Sequence, residues 1–201
     1  MITTVAPVHL EAFDGIDAIA REKAAILDGI EPGGIAVLNA DLDQFGILAK
    51  KAATAGARIV SFGRTADDFQ LCDAALQQEV VVAQAKAHDL SFLFKLQTEG
   101  LHFAMNGLGA LAVCEAMKAD LALATLSLAR WSPVKGRGAR ELVHLDPVEA
   151  NLTLDLIDDS YNANPASMAA ALSVLALAKT QDDTGRVQKG RRIAFIGDMK
   201  E

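Results

Sequence analysis

The sequence predicts an α/β protein with a mostly parallel sheet and flanking helices. A buried strand at residues 35–38, a helix at 45–55 and a further strand at 58–62 follow one another through short connections. This order is typical of a parallel sheet with right-handed crossovers. Later, the apolar residues of 152–157 predict a strand that runs into a polar turn and then a helix. Polar side chains at such a junction are where open α/β sheets bind ligands.

The composition is that of a globular protein without a nucleic-acid surface. Of the 201 residues, 51% are hydrophobic and 22% charged, and the formal net charge is −7 with no dense Lys/Arg run. The longest apolar region, residues 103–129, is interrupted by polar residues, and the N-terminus lacks the features of a signal peptide. We therefore expect a cytoplasmic monomer without nucleic-acid or membrane partners. Cys72 and Cys114 are predicted to be buried free thiols on helices.

The first third of the chain places two chemically interesting side chains near each other in sequence. Residues 2–5 resemble the end of a strand, and residues 16–30 predict a helix with an apolar stripe. His9 lies on the loop between them, and Lys23 lies on the helix. A surface histidine and a solvated lysine would explain both.

The middle of the chain predicts a hairpin and two helices. Antiparallel strands are predicted at 79–83 and 90–95, joined by a turn at His88. The helix predicted at 101–117 carries His102 and Asn106 one turn apart, and therefore on one face. Its small residues allow close packing, and a further helix is predicted at 120–129.

The last third predicts a linker, a hairpin and a capped helix. The basic loop 134–140, with Arg137 and Arg140, has the composition of an interdomain linker. Residues 141–146 and 152–157 predict the hairpin. Asn164 is a suitable N-cap and Pro165 a suitable first residue for the helix that follows. Residues 192–196 predict a final strand.

Several motifs together resemble the Mur ligase family. The run DDSYNANPASM at 158–168 is similar to a signature of the branch that joins D-alanyl-D-alanine to a UDP-N-acetylmuramoyl tripeptide. VAPVHLEAF followed by IAREKAAIL, GIAVLNADLDQF, HFAMNGLGALAV and the P-x-x-G-R pattern ending at Arg137 resemble other family motifs. RIAFIGDMKE resembles the start of G-D-M-x-E-L-G.

The resemblance implies roles for residues in the first part of the chain. His9 and Lys23 would hold Mg²⁺, and Lys23, carbamylated in several Mur ligases, would supply hard oxygen ligands and serve catalysis. His102 and Asn106 would contact the nucleotide, with the Asn106 amide on the adenine edge. Leu101 departs from the family pattern, which has an arginine after Gly100. Asn39 and Asp41 carry no implied role and are interpreted as caps of the next helix.

The resemblance also implies roles at the linker and the polar turn. Arg137 would reach the ATP phosphates and serve catalysis, because an arginine fork matches phosphate oxygens. Arg140 is a weaker second candidate for that role. Asp159 would bind the ribose hydroxyls, and Tyr161 and Asn164 would shape the same nucleotide edge.

The implied activity is ATP-dependent amide formation through an acyl phosphate, with ATP and Mg²⁺ as cofactors. The implied partners are the UDP-N-acetylmuramoyl tripeptide and D-alanyl-D-alanine. Residues 1–133 would be the later part of a central ATP-binding domain, and 134–201 the start of a Rossmann-like C-terminal domain. No G-x-x-x-x-G-K-[ST] loop occurs in the 201 residues. We therefore interpret the chain as an internal fragment that is inactive alone.

Two alternatives stay open at this point. The chain could be a degenerate, non-catalytic copy that serves as a nucleotide-binding or interaction module. It could also belong to another member of the superfamily, such as a folylpolyglutamate synthase, but SYNANP at 160–165 disfavours that interpretation.

Overall fold

The computed structural model describes residues 1–7, 13–183 and 188–199. The chain divides into two compact units, the first ending at Trp131 and the second beginning at Ser132. None of the helices in these described ranges has the length and apolarity needed to cross a membrane.

The described part of the first unit contains a single mixed sheet. Its strands, in spatial and sequence order, are β1 Ile35–Asn39, β2 Arg58–Gly63, β3 Phe69–Gln77, β4 Val80–Ala87 and β5 Leu90–Leu96. β1, β2 and β3 are parallel, whereas β3, β4 and β5 are antiparallel. The predicted α/β class and the predicted antiparallel pair are confirmed. Ile2 adds a parallel bridge to Leu38 beside β1, as expected for the end of a strand.

Helices cover both faces of the parallel half of the sheet. On one side lie α1 (Ile16–Ala24), which tightens into a 3₁₀ turn at Ala25–Gly29, and α2 (Phe45–Thr54). On the other side lies α3 (His102–Ala116), and α4 (Leu121–Leu128) packs against α3 and the antiparallel strand β5. Successive residues of β1 face opposite layers, because side chains alternate along a strand. Ala36 and Leu38 join the core beneath α1 and α2, whereas Val37 joins the core beneath α3.

The connection from β2 to β3 is short although the two strands are parallel. Phe62, near the end of β2, pairs with Phe69 at the start of β3. The chain therefore steps sideways and continues in the same direction, and it needs no crossover helix. Gly63 lies at this step with φ of 153°, and a Cβ there would approach Asp41 Oδ1 to 2.8 Å.

The sequence did not reveal β3, and the reason is a bulge. The register with β4 shifts between Leu71 and Asp73. Phe69 and Leu71 face the core before the shift, and Ala74 and Leu76 pack against it afterwards. A strand with an inserted residue no longer shows the two-residue alternation by which strands are recognised.

The second unit contains a hairpin and a helix. The antiparallel strands β6 (Ala139–His144) and β7 (Thr153–Asp158) confirm the predicted hairpin. The helix α5 (Pro165–Leu177) begins with Pro165. Its N-cap is Asn164, whose side-chain oxygen accepts from Ser167 N at 2.9 Å, while Ser167 Oγ accepts from Asn164 N at 2.9 Å. This reciprocal capping box fixes where the polar turn ends and the helix begins.

Three sequence-based expectations are wrong. Among the described residues 188–199 there is no strand, so the strand predicted at 192–196 is absent there. Cys72 is exposed on β3 rather than buried on a helix, and Cys114 is half-buried on α3. Neither Asn39 nor Asp41 caps α2, whose N-cap is Gln44.

Candidate functional site

The polar turn after β7 is tied to the preceding linker by hydrogen bonds. Gly136 N donates to Asp158 Oδ2 at 3.0 Å, and Gly138 N donates to the Asp158 carbonyl at 2.8 Å. In return, Tyr161 N donates to the Gly136 carbonyl at 3.0 Å. The structure therefore brings the linker, which carries Arg137, against the turn that carries Asp159 and Tyr161.

Arg137 and Tyr161 form an exposed cation–π pair. The guanidinium carbon of Arg137 lies 4.3 Å from the centroid of the Tyr161 ring, and Tyr161 is 71% exposed. Asp159, two residues before Tyr161, is also exposed. A cation, an aromatic face and a carboxylate are thus accessible on one short segment and its neighbouring loop. These groups suit phosphate oxygens, a flat ring and hydroxyl donors, respectively.

Asp158 is held in its ionised form by the groups that surround it. The hydrogen bond from Ser160 Oγ at 2.6 Å is the main cause that keeps the pKa of Asp158 below its usual value. Desolvation acts in the opposite direction, but backbone donors at Ser160 and Gly136 and the charge of Lys135 lower the pKa further. The carboxylate is therefore charged at neutral pH.

Asn164 has a structural task in the described residues. Its side chain closes the capping box of α5, and the residue is half-buried. A contact between Asn164 and a nucleotide stays a prediction.

His102 and Asn106 lie on the exposed face of the first two turns of α3. The His102 ring centroid is 4.1 Å from that of Phe103, which in turn lies 5.0 Å from that of Trp131. A Cβ at Gly100 would come within 2.9 Å of His102 Cε1 and 2.8 Å of Phe103 Cδ2, so a larger residue there would displace these two rings. Asn106 makes no side-chain hydrogen bond to any described residue, which leaves both its donor and its acceptor available to a ligand.

The candidate metal residues are not assembled into a site in the described part of the chain. Lys23 is half-buried in the last turn of α1, on the helix layer opposite α3. His9 lies outside the described residues. The described ranges contain no group of three or more His, Cys, Asp or Glu side chains that could hold a metal ion. An unmodified lysine cation repels Mg²⁺, so Lys23 could hold that ion only in a carbamylated form.

Sequence reasoning missed two carboxylates that join chain segments distant in sequence by accepting hydrogen bonds from their backbones. Asp41 accepts from Arg64 N at 2.7 Å, Thr65 N at 3.0 Å and Thr65 Oγ1 at 2.9 Å. Asp158 performs the equivalent task at the linker. Local signals exist, since Asp158 and Ser160 form an Asx turn, but the partners at 64–65 and at 136 are distant in sequence.

The fold is that of an α/β protein whose first unit has a mixed central sheet between two helix layers. A profile of the Mur ligase middle domain matches residues 1–114. The chain belongs to the Mur ligase family.

Several bacterial proteins are similar to this chain over its whole length. The UDP-N-acetylmuramoyl-tripeptide–D-alanyl-D-alanine ligase of Escherichia coli K12 is 29% identical over 203 aligned residues, which cover 100% of this chain and 41% of the relative. The chain thus spans about two fifths of that relative's length. A crystal structure of MurF from Acinetobacter baumannii superposes with a TM-score of 0.76 at 28% identity, over 89% of this chain and 37% of that one.

A further solved structure supports the fold alone. MurF ligase from Thermotoga maritima, in complex with ADP, superposes with a TM-score of 0.70 at 23% identity. The match covers 89% of this chain and 39% of that one.

Proposed function

We propose that this chain supplies nucleotide-contacting parts of an ATP-dependent ligase that joins D-alanyl-D-alanine to a UDP-N-acetylmuramoyl tripeptide. Membership of the Mur ligase family and the 29% identity with the E. coli ligase over the whole chain support this proposal. In it, residues 1–133 belong to the central ATP-binding domain and residues 134–201 to the C-terminal domain.

The observation that carries the proposal is the pairing of Arg137 with Tyr161 beside the exposed Asp159. Arg137 would neutralise the phosphate oxygens, where charge changes during phosphoryl transfer. Asp159 would accept hydrogen bonds from ribose hydroxyls. On the first unit, the Asn106 amide would pair with the adenine edge, with His102 beside it on the same helix face.

The reaction would proceed in two steps. A carboxylate oxygen of the tripeptide attacks the γ-phosphorus of ATP, which forms an acyl phosphate and releases ADP. The amine of D-alanyl-D-alanine then attacks the acyl carbon, expels inorganic phosphate and loses a proton as the amide forms. Magnesium at His9 and Lys23 stays an inference from the resemblance, and no step is assigned to it.

The enzyme hypothesis and the module hypothesis differ in turnover. We propose that the purified chain alone releases no phosphate, because the Gly-Lys-Ser/Thr loop that cradles phosphates is absent from these residues. A phosphate-release assay with ATP, the tripeptide substrate and D-alanyl-D-alanine tests this directly. Release that depends on D-alanyl-D-alanine would disprove inactivity of the chain alone.

A chimera tests the ligase assignment itself. Residues 1–201 replace the matching segment of the E. coli ligase, and phosphate release is measured with and without D-alanyl-D-alanine. We expect dependent release that Arg137→Ala removes and that Arg130→Ala, at an exposed arginine in the first unit, does not. A folded chimera that binds ATP without turnover would instead support the non-catalytic module.

A further inference from the structure

Asp158 touches both neighbours of Arg137 in the chain. Its carboxylate Oδ2 accepts from Gly136 N at 3.0 Å, and its backbone carbonyl accepts from Gly138 N at 2.8 Å. Its other carboxylate oxygen, Oδ1, accepts from Ser160 N at 3.2 Å and from Ser160 Oγ at 2.6 Å. Asp158 therefore binds the linker on each side of Arg137 and also binds Ser160 in the polar turn.

The packing at Gly136 limits how far the linker can move. Gly136 is buried, has φ of 79° and places its missing Cβ 3.1 Å from Tyr161 Cβ. Its carbonyl accepts from Tyr161 N at 3.0 Å. The backbone of the linker thus lies directly against the backbone of Tyr161, which is the condition for Arg137 to reach the Tyr161 ring.

We propose that Asp158 is a positioning residue that fixes Arg137 over Tyr161 and so prepares Arg137 for the phosphates of a nucleotide. The phosphate part of this inference rests on the proposed function. An arginine on an untethered linker loses side-chain and backbone freedom when it binds, and that loss weakens affinity. A tethered arginine has already lost much of this freedom.

The direction in which Asp158→Asn changes ATP affinity distinguishes positioning of Arg137 from simple charge repulsion. Asp158→Asn removes a negative charge close to Arg137. If Asp158 merely repelled phosphates, the substitution would strengthen ATP binding. If Asp158 positions Arg137, ATP binding becomes weaker, by roughly tenfold, because the amide keeps only one acceptor oxygen and its NH2 group must face either Gly136 N or Ser160 N, neither of which it can accept from. Adenosine, which lacks phosphates, should bind as before.

The matched control is Asp146→Asn. Asp146 accepts from Val148 N at 2.7 Å and Glu149 N at 3.0 Å in another turn of the same unit. Its substitution likewise removes the charge of a carboxylate that accepts from backbone N–H groups, without touching the linker, so the ATP-to-adenosine affinity ratio should not change. Gly136→Ala is a second, independent variant, since its methyl group would push the linker away from Tyr161 without changing Asp158. It should lower the ratio as Asp158→Asn does.

A measurement without nucleotide tests the structural part separately. Tyr161 is the only tyrosine in the chain, so its ring protons are assigned without ambiguity by NMR. Stacking shifts the Arg137 side-chain protons upfield, and we expect Asp158→Asn to remove that shift while Asp146→Asn keeps it. An unchanged shift in Asp158→Asn would overturn the proposal.

The nucleotide measurement has its own outcomes. Arg137→Ala and Asp158→Asn should be non-additive in a double-mutant cycle of ATP affinity, because both act through one side chain. Full additivity, or stronger ATP binding by Asp158→Asn, would contradict positioning. If the unaltered chain binds no ATP, the same affinities are measured in the chimera with the E. coli ligase, where absence of ATP binding would count against the proposed function. The NMR shift then decides separately whether Asp158 fixes Arg137.

Discussion

Asp41 and Asp158 show how a single carboxylate can fix two chain segments that are distant in sequence. Each accepts hydrogen bonds from backbone N–H groups across a crossing, Asp41 from residues 64 and 65 and Asp158 from Gly136. Backbone donors in such turns have few other partners, and an ionised acceptor makes the stronger bond. Neither interaction is visible from local sequence.

Removal of the Asp41 charge should destabilise the first unit in a pH-dependent manner. Partial burial acts to raise the pKa of Asp41, but the hydrogen bonds from Arg64 and Thr65 outweigh it, so the folded pKa is below the usual value. A lowered folded pKa adds stability that is present above the unfolded pKa and lost as pH falls through the folded one. Urea unfolding should show Asp41→Asn less stable by about 0.5–1 kcal/mol at neutral pH, after allowance for solvent exposure.

The difference between Asp41→Asn and the unaltered chain should shrink in acid, as Asp41 itself becomes protonated. Asp43→Asn, at an exposed carboxylate that accepts no hydrogen bond from the described residues, is the control and should change little. A pH-independent difference between Asp41→Asn and the unaltered chain would mean that the charge of Asp41 is not the cause.

Asn164→Ala should weaken the start of α5. The variant loses the side-chain acceptor for Ser167 N, and loss of an N-cap costs about 1 kcal/mol. Faster amide hydrogen exchange in the first turn of α5 would report this loss. If ATP affinity falls tenfold while exchange is unchanged, Asn164 contacts the nucleotide and its capping role is secondary.

At the scale of elements, α3 depends on close approach to the sheet. A Cβ at Gly109 would lie 2.9 Å from Phe62 Cζ and 3.0 Å from Met1 Sδ, and one at Gly107 would lie 3.1 Å from Phe94 Cε2. The small residues predicted to allow close packing therefore do so. Larger residues would push the helix, and with it His102 and Asn106, away from the strands.

Two glycine-to-alanine substitutions should have opposite effects on stability. Gly109→Ala gains helix propensity but overpacks the interface with β2, so we expect a net loss of about 1 kcal/mol. Gly46→Ala, on α2, places a methyl group where nothing lies within 4 Å, so a gain of about 0.5–1 kcal/mol is expected. Thermal unfolding of the two variants in parallel checks both signs. A stabilising Gly109→Ala would show that α3 can shift freely.

The sequence was a good guide to elements with regular periodicity and a poor one elsewhere. α1, α2 and the 90–96 strand repeat their apolar residues at the expected spacing, α3 and α4 show as long apolar runs, and Asn164 with Pro165 marks a helix start by local chemistry alone. β3 was not predicted because its bulge interrupts the alternation of buried and exposed residues. The strand expected at 192–196 has suitable residues, but a strand also needs a hydrogen-bonding neighbour, and the described residues give it none.

Candidate site residues were predictable by type but not by arrangement. The turn at 158–164 is recognisable in the sequence by its run of polar side chains. The stacking of Arg137 on Tyr161, however, depends on Gly136 and Asp158, which are 22 residues apart. Pairings of that kind are set by the fold, and periodicity carries no information about them.

At the scale of the whole molecule, the two units carry different parts of the candidate nucleotide chemistry. His102 and Asn106 lie on the first unit, and Arg137, Asp159 and Tyr161 lie on the second. The proposed roles give adenine to Asn106, ribose to Asp159 and phosphates to Arg137. Substitutions in the two units should therefore change nucleotide affinity in distinguishable ways.

The most direct measurement is a calorimetric titration of the chain and two variants with ATP and with adenosine. Asn106→Ala should weaken both ligands by a similar factor, because both contain adenine. Arg137→Ala should weaken ATP by roughly tenfold and leave adenosine unchanged, since only ATP carries phosphates. Equal effects of Arg137→Ala on both ligands would contradict the proposal that these residues form the nucleotide-contacting part of a ligase.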